Sequence, residues 1–187
     1  MSRRQRYQGH LLVANPNNPK DDLEKSVIMI VTHADSLAIG IQINKPHEEI
    51  TLSKVAANLG VGYMGNDPCY YGGNMAMSKI HVIHSLDWRG MTTAPLSKEI
   101  GITNDISILA AISRGDGPKY FKACSGYWLW EDGRLETQLD PRNSLPHEPH
   151  KWEIAKATID NTFLTNDDDL WQEAIEASAK YLIDAYF

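Results

Sequence analysis

Cysteine is scarce in this chain of 187 residues, where Cys69 and Cys124 are the only two. Two thiols are too few to staple a disulfide scaffold, and their separation forbids a C-x-x-C redox motif. Long hydrophobic runs are missing as well. The longest aliphatic run, Val27–Val31, falls far short of the roughly 20 apolar residues that span a bilayer. Positive charge is in deficit: 18 Lys and Arg face 24 Asp and Glu, leaving a net charge of −6. That balance disfavours a broad phosphate-binding surface. The basic start, Met1 to Arg6, has no apolar stretch behind it, so it does not read as a secretory signal. The expected location is cytoplasmic.

What is present is ordinary: 42% hydrophobic and 22% charged residues, with 13 Gly and 9 Pro. A chain of this length hides roughly 70% of its unfolded surface, enough for the core of a single domain over 1–187. Residues 8–14, 26–32 and 38–44 read as strands. The first stops at Asn15-Pro16, since proline lacks a ladder donor. The second is continuously apolar, as a strand buried on both faces should be. The short link His33–Leu37 suggests that the second and third form a hairpin. Thr51 then caps a helix over 52–59, with Gly60 at its C′ position. Further strands are expected at 69–72, 80–84 and 121–130, and helices at 104–114 and 168–184. Adjacent strands with segregated helices make the class α+β. Residues 1–6 read as a tail.

Several suggestive motifs fail on context. Gly60-x-Gly62-x-x-Gly65 follows a helix, whereas a dinucleotide site needs it between a strand and a helix start. His81 and His84 point to opposite faces of a strand, so one metal ion cannot easily take both. His84-Ser85-Leu86-Asp87 holds three catalytic residue types, but neighbours on an extended chain diverge. Ser125 lacks the glycine two residues earlier that a nucleophile elbow needs. Tyr127-Trp128-Leu129-Trp130 puts large side chains on both faces of a strand, which suits a covered central strand or a protein contact. No catalytic residue, metal or cofactor is assigned.

Taken together and in order, several segments resemble the YqgE/AlgH family of bacterial proteins. They are Gly9–Pro16, Asp22–Ile28, His33, Gly40–Pro46 (the strongest piece), Tyr70-Tyr71-Gly72-Gly73, Val82–Ser85, Gly126–Trp130 and Leu135-Glu136. Departures are Leu23 for an aromatic, Asn74 for proline, Trp128 and Leu129 for a small pair, and Arg134 for glutamine. They bear on a ligand pocket more than on the fold. Residues 140–158 read as an inserted loop or flap, which would cover the added bulk of Trp128 in preference to a partner subunit.

The resemblance implies a compact domain whose largely antiparallel sheet curls toward a barrel. It also implies a role in transcriptional regulation, with no accepted enzymatic activity. No helix pair matches a helix-turn-helix, so direct DNA binding is not expected. The expected function is a non-enzymatic binding or regulatory protein, acting on an unidentified protein or small molecule, as a monomer or weak homodimer. Its candidate pocket residues are His33, Asn44, Pro46, Gly72, Gly73 and His84. The alternative is an enzyme whose cleft uses His33 and His84, residues of a type that titrates near neutrality. It requires His33, Asn44 and His84 to converge on one cleft.

Overall fold

A computed structural model describes residues 6–18, 21–140, 142, 144–145 and 148–186. The expected tail at 1–5 and the prolines 141 and 146 lie outside them. From the N-terminus come strands His10–Ala14 (β1), Val27–His33 (β2), Leu37–Gln42 (β3) and Pro46–Thr51 (β4), then helix Leu52–Asn58 (α1). Strands Pro68–Tyr71 (β5), Met75–Ser85 (β6), Ala94–Pro95 (β7) and Ile100–Thr103 (β8) lead to helix Ser107–Ser113 (α2). Phe121–Glu131 (β9) is followed by helix Arg134–Leu139 (α3) and the short strands Ser144–Leu145 (β10) and Glu148–Pro149 (β11). Strand Trp152–Lys156 (β12), a π-helical turn at Asp160–Leu164 and helix Asp167–Tyr186 (α4) complete the chain. Ten strands form one curled half-barrel sheet, ordered β12-β1-β2-β3-β9-β6-β8-β7, with β4 and β5 attached beside β9. Every pairing is antiparallel except β5 with β9. No helix among the described residues is long and apolar enough to cross a membrane.

The expected strands and helices are all present, with bounds shifted by a few residues. Thr51 Oγ1 accepts the Lys54 N–H at 3.4 Å as the α1 cap, and Gly60 takes φ +70° after the helix end. Residues 27–30 are fully buried because both faces of β2 are covered. Leu11, Val13, Met29, Ile41 and Ile83 pack under Leu170 and Ala174 of α4. On the opposite face Leu12, Ile28 and Ile30 meet Trp130, Leu135 and Trp152. A third cluster sets Leu52 and Ala56 of α1 and Ile108 and Leu109 of α2 against Cys69, Val82 and Ala123.

One expectation is corrected. Within the supposed flap 140–158, residues 152–156 are a strand of the main sheet, paired with β1 from His10↔Lys156 to Ala14↔Trp152. The prolines end at Pro149, so nothing prevents the following residues from joining a ladder. Trp152 covers Trp130 rather than Trp128: their rings lie edge to face at 6.2 Å, and both indoles donate to Gln138 Oε1.

β9 organises the sheet. Its first half pairs with β6 along one edge and with β5 along the other. Past Gly126, which adopts φ +74°, residues 128–131 pair with β3 instead. β5 and β3 thus lie end to end along one side of β9, joined where the Gln42 N–H donates to Gly72 O at 2.9 Å. The foot of α4 is clasped to this region. Lys122 Nζ donates to Asp167 Oδ1 at 2.7 Å and to Ile43 O at 2.8 Å, and the Tyr70 hydroxyl donates to Asp167 Oδ2 at 3.0 Å. Burial, with the Asp167 carboxylate adding to it, pushes the Tyr70 phenol pKa upward.

Candidate functional site

The residues expected to share a pocket do not gather. His33, at the end of β2, is buried. Its Nδ1 accepts the Tyr7 N–H at 3.1 Å, which leaves Nε2 to donate to Glu136 Oε1 at 3.2 Å. Tyr7 stacks on the ring at 5.7 Å. Asn44 is a tether: its Oδ1 accepts the Val27 N–H at 2.9 Å and its Nδ2 donates to Lys25 O at 2.8 Å. That holds a turn in which Lys25 takes φ +56°, a conformation uncommon outside glycine. His84 is fully buried on β6. Its Nδ1 donates to Ser85 O at 2.9 Å, its Nε2 lies 3.4 Å from Thr93 Oγ1, and its ring meets Trp88 edge to face. Burial pushes its pKa down. Among the described residues the three side chains share no hydrogen-bond partner, and the enzyme reading built on their convergence loses its geometric basis.

The other motif residues fall as follows. His81 is placed against Tyr127, on the sheet face opposite His84. Ser85 Oγ donates to Asp87 Oδ1 at 2.5 Å, while His84 bonds elsewhere, so no triad forms. Cys69 and Cys124 lie in different core clusters, and burial raises the Cys69 thiol pKa to about 11.

Gly72 and Gly73 are required by close backbone approach. A Cβ on Gly72 would sit 2.5 Å from Gly126 O, and one on Gly73 would sit 2.1 Å from the Tyr127 carbonyl carbon. They form the seam between β5 and β3. Beside that seam opens a cleft of about 660 Å³, lined by Asp22, Lys45, Pro46, His47, Glu48, Glu49, Ile50, Tyr71, Asn74 and Trp128. Of the expected residues only Pro46 lines it, with Gly72 and Gly73 behind its wall.

Four segments build the cleft. The turn held by Asn44 presents Asp22; Lys45 and β4 supply the run 45–50; Tyr71 and Asn74 come from the end of β5 and the residues after it; β9 supplies Trp128. Its aromatic wall is an edge-to-face row, with His47 to Tyr71 at 5.8 Å and Tyr71 to Trp128 at 6.2 Å. Lys45 Nζ lies 5.7 Å over the Tyr71 ring, within cation–π range. The carboxylates of Asp22, Glu48 and Glu49 form no ion pair among the described residues. Burial lowers the His47 pKa, and among the lining residues three carboxyl side chains accompany one lysine, Lys45. The Trp128 indole N–H is buried without an acceptor among the described residues.

β4 itself is tied to β5 only at its ends, Pro46↔Tyr70 and Thr51↔Pro68. Between them His47–Ile50 arch out of the ladder. Ser125 Oγ lies 2.9 Å from His47 Nε2 and 3.4 Å from the Tyr70 carbonyl, yet Ser125 is 7% exposed and does not line the cleft. Among the described residues, no three His, Cys, Asp or Glu side chains are grouped to hold a metal ion.

Sequence reasoning passed over Asp22, His47, Glu48, Glu49 and Tyr71 as site residues. Of the lining residues, the sequence marks Pro46 as a pocket candidate and Asn74 and Trp128 only as departures from the family pattern. The signal available was His47-Glu48-Glu49 immediately after a strand-ending Lys45-Pro46, a polar segment that periodicity treats as an ordinary loop.

Comparisons with known proteins agree with this fold. A family model described as AlgH-like matches residues 11–181. The chain is 30% identical over 174 residues to a UPF0301 protein of Jannaschia sp., covering 90% of this chain and 86% of that one. It is 28% identical over 170 residues to a UPF0301 protein of Methylococcus capsulatus, covering 90% and 89%. The solution structure of AlgH from Pseudomonas aeruginosa superposes with a TM-score of 0.75 at 23% identity, over 95% of this chain and 91% of that one. A match that runs from β1 well into α4 takes in every strand of the curled sheet, and the chain belongs to the AlgH-like family.

Proposed function

We propose that the protein is a non-catalytic binding protein and that the cleft between the Asp22 turn, β4 and β9 is its binding site. One observation carries this reading: the cleft joins an aromatic row to carboxylates unpaired among the described residues, while His33 and His84 deeper in the fold are engaged by internal bonds. Binding sites of this size are concave and largely apolar, with a few polar groups that orient the ligand. A part in transcriptional regulation, implied by the resemblance, fits this reading if it works through a bound protein or small molecule. A net-acidic chain with an acidic cleft is poorly suited to contact DNA phosphates.

The test is an NMR ligand screen of the purified protein against pooled metabolites and peptides. The expected hits perturb resonances of His47, Tyr71 and Trp128. Hits that cluster around His33 or His84 instead, or any turnover of a pooled compound, would sink the reading. The Ser125–His47 contact favours a second reading, a hydrolase with Ser125 as nucleophile. That reading requires a fluorophosphonate probe to label Ser125, and the burial of Ser125 predicts no labelling.

A further inference from the structure

Resting on the cleft as the binding site, we propose that its ligand is an extended, basic segment of another protein, which docks as a strand along β4 and sets Lys or Arg side chains among Asp22, Glu48 and Glu49. Four features of the cleft lead to this. Residues 48–50 are exposed, and among the described residues β4 has no strand partner other than β5. Between its bridges to β5 at Pro46 and Thr51, Glu48 and Glu49 have no partner residue on β5, although the Glu49 carbonyl accepts the Lys54 ammonium at 3.2 Å. An unpaired strand edge is a template for an incoming strand, in which main-chain hydrogen bonds give affinity and side-chain pockets give specificity. In an extended segment side chains alternate, so His47 and Glu49 share one side and Glu48 and Ile50 the other.

Charge selects the occupant. Carboxylates on an exposed edge also guard against self-pairing, because a second copy of this chain would bring its own Glu48 and Glu49 against these. The same repulsion becomes attraction for a strand bearing Lys or Arg. An acidic or neutral strand would gain the backbone bonds without the charge pairing.

The aromatic row points the same way. Lys45 already lies over the Tyr71 ring, so that face accepts an ammonium. Trp128 is the next ring in the row, and a guanidinium or ammonium over it would add a cation–π contact. A free small cation could use the carboxylates and rings but could not pair with the free edge of β4. This separates a peptide from an isolated amine.

The experiment titrates the full chain with three synthetic probes, followed by NMR with amide hydrogen exchange. The probes are an eight-residue peptide alternating Lys and Thr, the same peptide with Glu for Lys, and Nα-acetyl-lysine methylamide. The proposal expects the Lys peptide to bind, to slow exchange of the amides of 47–50 and to move the Trp128 indole resonance. The Glu peptide should not bind at matched concentrations. Glu48→Gln and Glu49→Gln should each weaken the Lys peptide about two- to fivefold, and affinity should fall as salt is raised. Denaturant midpoints of both variants should match the parent, which separates lost contacts from lost folding. Equal binding of the single lysine derivative, without new protection of 47–50, overturns the strand-docking proposal and leaves the cleft as a binding site. Equal binding of the Glu peptide, or no binding of the Lys peptide, overturns it as well. If the NMR screen finds cleft ligands while the Lys peptide stays silent, only this inference falls.

Discussion

At the foot of α4 one carboxylate is fully matched, and along β4 three are not. Asp167 takes hydrogen bonds from Lys122 and Tyr70, and Lys122 spends its remaining reach on the Ile43 carbonyl. Asp22, Glu48 and Glu49 stand at the rim of an aromatic cleft, and among the described residues their carboxylates form no ion pair, the Lys54 ammonium bonding instead to the Glu49 carbonyl. Buried ions cost several kcal/mol unless paired with good geometry, so the first cluster exists to close the fold. Exposed carboxylates carry no such penalty, so the second can remain open for something else. The contrast between the two clusters distinguishes a structural ion pair from a recognition surface in this molecule.

The sharpest way to break the contrast is Lys122→Met, which leaves Asp167 and Tyr70 without their cation. Because Asp167 keeps 25% of its side chain in solvent, the expected loss is roughly 2–3 kcal/mol. Urea unfolding would measure it, and adding Asp167→Asn should recover part. A loss below half a kcal/mol would remove the clasp from the account.

Asn44→Ala comes next, because it joins the two regions. It frees the Val27 N–H and releases the turn that presents Asp22. The expected cost is about 1–2 kcal/mol, and ligand affinity at the cleft should fall although Asn44 does not line it.

The third effect is a pH dependence. Burial lowers the pKa of His84, His81 and His47. The unfolded chain therefore takes up protons before the folded one as pH falls through about 6.5. Stability should be full above that value and decline between pH 7 and 5. The depressed carboxyls of Asp21 and Asp140 act below that window. His84→Gln should flatten the slope in urea titrations more than His47→Gln, since His84 sits in the core and His47 at the cleft. Equal flattening would mean that the two sites are not distinct environments. Glu48→Gln with Glu49→Gln should have the smallest effect, within about 0.5 kcal/mol of parent stability.

The sheet strands β1, β2, β3, β5, β6 and β9 and the helices α1, α2 and α4 were legible because each declares itself locally. Residues 27–31 are an unbroken apolar run, and Thr51 and Gly60 bracket α1. β12 was not, because prolines at 141, 146 and 149 suggested a loop and its partner β1 is at the far end of the chain. β4 was not, because a polar segment with an open edge has no buried face to impose alternation. The candidate site failed for a related reason. His33, Asn44 and His84 are chemically expressive residues that the fold uses for its own bonds. The cleft is assembled from four segments that no local pattern connects. Pro46, Gly72 and Gly73 were near it because the seam they form needs a rigid turn and two residues without side chains.

The pairing of β1 with β12 has a consequence for how the protein is made. β1 emerges from the ribosome early, and its neighbour β2 follows at once. Its outer edge, however, must wait for residues 152–156. At about 5–20 residues per second that delay is on the order of ten seconds. Throughout it, the apolar residues Leu11, Leu12 and Val13 lie on a strand with one edge unfilled, the state in which nascent chains cross-pair. Synthesis halted before Trp152 should therefore yield chains that associate through β1. The same halted chains supplied with a peptide of the β12 sequence should stay apart.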